Sequence, residues 1–87
     1  MPSAPGDGDR DADAEVLRRG DRGPAVTELQ LRLRQLYLYN GEANGNFSAQ
    51  VEDALRNYQW ARGVTDDGLG VYGAQTRAML ESETESP

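Results

Sequence analysis

Three short segments of this chain resemble one another at a fixed offset of 25 residues: Arg22-Gly23-Pro24-Ala25-Val26, Phe47-Ser48-Ala49-Gln50-Val51 and Tyr72-Gly73-Ala74-Gln75-Thr76. Each has a small residue (Gly23, Ser48, Gly73) followed three positions later by a β-branched one (Val26, Val51, Thr76). Small residues before an apolar periodic stretch mark helix starts. A chain that begins a helix three times at even intervals is expected to be a compact bundle of three like units, with loops built alike.

The periodicity supports that division. From Pro24 to Leu38, the residues Val26, Leu29, Leu33 and Leu36 form one helical stripe, with Glu28, Arg32, Arg34 and Gln35 off it. Pro24 suits a first turn, where its missing N–H has no intrahelical acceptor to lose. From Ala49 to Arg62, Val51, Ala54, Leu55 and Tyr58 repeat the stripe, and Gly63 is placed to end the helix in a left-handed turn. A third, shorter helix is expected from Ala74 to Glu81, with Met79 and Leu80 inward. The segments between them, 39–46 and 65–70, are rich in Asn, Asp and Gly and are read as turns. The sequence thus specifies an all-α domain over Val16 to Leu80, a three-helix bundle with structured inter-helix loops.

Composition bounds what such a domain can do. With 87 residues there is room for one small core, and neither cysteine nor histidine is present. Disulfides, thiolate sites and imidazole chemistry are therefore excluded, and packing must carry the fold. No metal and no cofactor are expected. Nothing approaches the roughly 18 consecutive apolar residues of a membrane span, and no targeting signal is legible. The net charge of −6 is unevenly distributed. Residues 1–15 hold five acids against one arginine, Glu81, Glu83 and Glu85 supply −3, and residues 16–80 carry eight arginines against seven acids. The folded part is nearly neutral, which argues against steering towards nucleic acid through Arg18, Arg19, Arg22, Arg32 and Arg34. Residues 1–15 read as disordered acidic linker, and 81–87 as a tail that frays after the last helical turn.

The run Leu17-Arg18-Arg19-Gly20-Asp21-Arg22-Gly23-Pro24-Ala25-Val26, leading to Leu29-Gln30, resembles the opening of the peptidoglycan-binding domain family. Asn44-Gly45-Asn46-Phe47, Tyr58-Gln59, Gly63-Val64, Asp67-Gly68 and Gly73-Ala74-Gln75-Thr76 follow in that family's order and approximate spacing. The resemblance covers nearly all of Val16 to Leu80 and implies three helices, no catalysis, and attachment of a larger exported protein to the bacterial cell wall. It also implies peptidoglycan as partner, glycan or stem peptide, bound by a monomer. Several positions depart from the pattern. Asn44 stands where Asp is usual, Ser48 where Gly is usual, Val51 where Thr is common, and Tyr37 replaces a glycine. Gly68-Leu69-Gly70-Val71 lengthens the last loop by two residues. A module that keeps this fold but binds another protein is the alternative these departures suggest.

Candidate ligand residues follow from chemistry. A sugar presents an apolar face that stacks on an aromatic ring, so Tyr39, Trp60 and Tyr72, in or beside the loops or off the core stripe, are candidates. Asn44 with Gly45, and Asp67 with Gly68, either build turns or offer polar and backbone groups to muramyl-peptide amides and carboxylates. Arg62 either answers a stem-peptide carboxylate or complements the end of its own helix. Phe47 and Tyr58 are read as core, and Gln59 as a hydrogen-bonding partner of loop backbone. The Asp7, Asp9, Asp11, Asp13 series starts like a calcium loop but has Ala12 where the turn needs glycine. Glu52-Asp53 and Asp66-Asp67 offer paired acids, but three short helices do not shape the cleft a glycosidase needs.

Overall fold

In the computed structural model the described residues are 16–87, so the acidic stretch 1–15 and its aspartate series lie outside them. The chain folds as the all-α bundle that its periodicity specifies. Helix α1 spans Pro24–Gln35, α2 Ala49–Arg62 and α3 Ala74–Glu83. Among the described residues β pairing is limited to two isolated antiparallel bridges, Leu17 with Tyr72 and Arg22 with Asn46. These bridges explain the repeat. The residues just before α1 pair with those just before α2 and α3, through Phe47 N–H to the Asp21 carbonyl (2.9 Å), Gly20 N–H to the Phe47 carbonyl (3.0 Å) and Tyr72 N–H to the Leu17 carbonyl (2.8 Å). The three helix starts are therefore laced together. Gly20, Gly45 and Gly70, again 25 positions apart, all take positive φ (101°, 80° and 79°), which an L side chain adopts only with strain.

The core is the one the stripes describe. Val26, Leu29 and Leu33 of α1, Val51, Ala54, Leu55 and Tyr58 of α2, and Leu80 of α3 are buried, joined by Leu17, Phe47, Tyr39 and Tyr72 from the segments between. Burying an aliphatic side chain of this size stabilises a fold by about 1.5–3 kcal/mol, so these few residues supply most of the favourable free energy. Met79 is partly buried against this cluster.

Two buried glutamines fasten the loops. Gln30 on α1 donates through Nε2 to the Asn44 side chain (3.1 Å) and the Asn46 carbonyl (3.0 Å), and its Oε1 accepts from Gly45 N–H (2.9 Å). Gln59 on α2 donates to the carbonyls of Gly68 and Val71 (both 3.0 Å) and to Thr76 Oγ1 (3.1 Å), and accepts from Gly70 N–H (2.8 Å). Each loop folds back along the helix it leaves. Its polar backbone would otherwise be buried without partners, and one glutamine satisfies several of those groups at once.

The ends of α1 and α3 differ from expectation. Helix α1 stops at Gln35, three residues before Leu38, because Leu36, Tyr37 and Leu38 wrap into a closing turn. Leu38 N–H donates to the Leu33 carbonyl and Tyr37 N–H to the Arg34 carbonyl (both 3.0 Å), with Tyr37 at φ 63°. Gly63 closes α2 in the same way at φ 70°. Tyr37 is 94% exposed and thus holds a left-handed backbone without burying its ring. Tyr37→Gly is expected to stabilise the domain by about 0.5–1 kcal/mol net of glycine's unfolded-state entropy, read as a higher urea midpoint.

Helix α3 runs to Glu83, past the expected end at Glu81, and the tail that composition marked as frayed is fastened. Tyr58 Oη donates to Glu83 (2.8 Å), Arg62 Nε donates to both Glu83 oxygens, and Gln35 exchanges two hydrogen bonds with the Glu85 backbone (2.7 and 2.9 Å). Arg32, placed off the α1 stripe by its polarity, is also buried. Its guanidinium pairs with Glu28 (2.8 Å) and donates to Thr84 Oγ1 (2.7 Å), so it is not available to a phosphate. An arginine can be enclosed in this way when each of its guanidinium nitrogens has a partner.

Candidate functional site

The first loop, pulled onto α1 by Gln30, meets the start of that helix. Gly23 N–H donates to the Gly45 carbonyl (3.0 Å), and a Cβ on Gly45 would come within 3.0 Å of Thr27 Oγ1 and 3.3 Å of the Gly23 carbonyl. Only glycine at 45 allows this approach, both for space and for its φ of 80°. Beside the contact lies an open depression of about 500 Å³ lined by Arg22, Gly23, Pro24, Thr27, Asn44, Gly45 and Asn46. Asn44 uses its Oδ1 to accept from Asn46 N–H (3.0 Å) and from Gln30, while its Nδ2 makes no hydrogen bond among the described residues. Arg22 is exposed and forms no ion pair among the described residues. One wall thus offers a free guanidinium and the other a free amide, donors that suit a carboxylate or a peptide carbonyl.

Of the seven residues named from the sequence, the structure brings only Asn44 and Gly45 to this depression. Tyr39 is 6% exposed, its hydroxyl donating to the Glu42 carbonyl (2.7 Å), and Tyr72 is 5% exposed in the bridge to Leu17. Both rings are core, because the loops that carry them fold back onto the helices. Burial pushes the Tyr72 hydroxyl well above the usual phenol range, as it does for Tyr58.

Asp67 is a helix cap, its carboxylate accepting from Thr76 N–H at the start of α3. Arg62 is held by Glu83 and lies over the Tyr58 ring, 5.1 Å from its centroid. The bond from Arg62, helped by that from Tyr58, holds the Glu83 carboxyl below the usual carboxylate range. A carboxyl lowered in this way favours the folded state above its unfolded pKa, and the contribution fades as pH falls through the folded value. Trp60 alone of the aromatic candidates stands clear, 72% exposed on the outer side of α2.

Arg22, Gly23, Pro24, Thr27 and Asn46 complete the depression and were not among the sequence candidates. The 25-residue repeat held a signal for them, since it aligns the α1 start with the α2 start that the Arg22–Asn46 bridge joins.

Comparison with known proteins places this fold in a family. A family model described as "Putative peptidoglycan binding domain" matches residues 22–80. A spore cortex-lytic enzyme of Bacillus cereus is 41% identical over 71 residues, covering 82% of this chain and 27% of that enzyme. The N-acetylmuramoyl-L-alanine amidase CwlM of Mycobacterium tuberculosis is 35% identical over 83 residues, covering 84% of this chain and 20% of the amidase. The crystal structure of the SleB N-terminal domain superposes with a TM-score of 0.76 at 39% identity, covering 83% of this chain and 96% of that domain. The chain spans about a quarter of the length of the curated relatives it matches. From the matched span, the shared fold and the ordered motifs that resemble the family's own, this chain belongs to the peptidoglycan-binding domain family.

Proposed function

We propose that this chain is a non-catalytic peptidoglycan-binding module that holds a larger exported protein on the bacterial cell wall. The observation that carries the reading is the family match across residues 22–80. The depression between the α1 start and the first loop supports it with donors suited to the carboxylates and amides of a stem peptide. The non-catalytic half is supported by the engagement of the acids: Asp67 caps α3 and Glu52 faces Arg19 at 3.6 Å, so neither pair is set across a cleft.

Co-sedimentation with insoluble peptidoglycan tests the reading. The wild-type chain is expected to pellet saturably, and Arg22→Glu, which changes an exposed side chain, to pellet several-fold less at unchanged helicity. Failure of the folded wild type to pellet overturns the wall-binding reading and favours a protein-binding scaffold on the same fold.

A further inference from the structure

Helix α2 has a second face that the fold does not use. Asp53, Arg56, Asn57 and Trp60 lie within about 100° of one another around the helix, opposite Val51, Ala54, Leu55 and Tyr58. All four are exposed, and they line a depression of about 340 Å³ that shares no residue with the one beside α1. The Asn57 side chain makes no hydrogen bond among the described residues, and the one ion pair within the group is a long Arg56–Asp53 approach of 3.9 Å. An exposed pair at that distance adds little stability. Trp60 is the chain's single tryptophan and leaves 72% of its surface in water. A lone exposed aromatic needs no explanation by itself. An indole bordered on one helix face by an unused amide, a carboxylate and a guanidinium, all around one concavity, is a more specific arrangement.

We propose that this face is a glycan subsite in which Trp60 stacks on the apolar side of an N-acetylhexosamine ring. Asn57, Asp53 and Arg56 hydrogen-bond the ring's hydroxyl and acetamido groups. The chemistry matches on three counts. The indole covers the C–H face of a pyranose. The amide and carboxylate supply both donors and acceptors for equatorial hydroxyls. The opposed charges of Asp53 and Arg56 leave the face neutral, suited to an uncharged sugar and poorly suited to nucleic acid. The proposal rests on the wall-binding reading and deepens it. The α1 depression takes the stem peptide and the α2 face takes the glycan, so one polymer engages two points of the module and gains from their linkage.

Because Trp60 is the only indole, its emission reports this face alone. Titration of the wild-type chain with a β-1,4-linked N-acetylglucosamine tetramer is expected to shift the emission to the blue saturably and to protect it from acrylamide quenching. The sugar-free stem dipeptide L-alanyl-D-isoglutamine at the same concentrations is expected to leave the emission unchanged. Trp60→Ala, at unchanged helicity, is expected to weaken sedimentation with peptidoglycan about tenfold, and Trp60→Phe by less. No emission change with the sugar, together with equal pelleting of Trp60→Ala and wild type, overturns the glycan subsite and leaves the wall-binding reading standing. If the wild type does not pellet, the wall-binding reading fails, and the sugar titration still decides the subsite on its own.

Discussion

Replacement of Gln59 by leucine is expected to lower the unfolding free energy by about 3 kcal/mol or more, although the two side chains are close in size. The substitution leaves Gly70 N–H, the Gly68 and Val71 carbonyls and Thr76 Oγ1 without the partner that now answers them. An orphaned buried polar group costs about 1–3 kcal/mol, and some of these will recover a bond to water as the loop loosens. A domain of this size has about 5–10 kcal/mol to lose. A urea titration followed by circular dichroism measures the effect. A midpoint equal to wild type would mean that the loop holds its path without the glutamine.

Phe47→Ala should be as damaging by a different route. The ring is 2% exposed in the core, and its own backbone carries the lacing between helix starts through Asp21 and Gly20. Removing a buried phenylalanine ring costs about 3–5 kcal/mol, the transfer of the ring plus the void it leaves. The loosened strap should also speed exchange of the Gly20 amide, which donates to the Phe47 carbonyl. Phe47→Leu keeps part of the volume and should restore part of both. Stability unchanged in Phe47→Ala would show that the start of α2 is not a structural element of the core.

What could be read from the sequence was whatever depends on neighbours along the chain. The helical stripes, the capping Gly63 and the inward Phe47 and Tyr58 follow from periodicity and local backbone chemistry, and all three helices begin where these place them. Gln59 is legible as a loop partner because it adjoins the apolar stripe of its helix. Gln30 does the same for the first loop and stands in the same relation to its helix. Val26, Leu29 and Gln30 align with Leu55, Tyr58 and Gln59 at an offset of 29, so the signal was present. Tyr39 and Tyr72, in or beside segments of turn residues, stand in the sequence as candidates for stacking on a sugar. Only the return path of each loop decides that their rings are covered, and that path is set by contacts far apart in sequence. The tail illustrates the same limit. Glu83 and Glu85 read as solvated acids until Arg62, Tyr58 and Gln35 are brought beside them.

Gln59 grips the second loop by the backbone of Gly68, Gly70 and Val71, not by its side chains. The route of the loop is therefore inherited separately from the chemistry it displays. Asp66 and Leu69, exposed on that loop, can be exchanged during evolution without asking the chain to find a new path. A scaffold anchored in this way can retune what it recognises one substitution at a time, while the helices beneath it stay as they are.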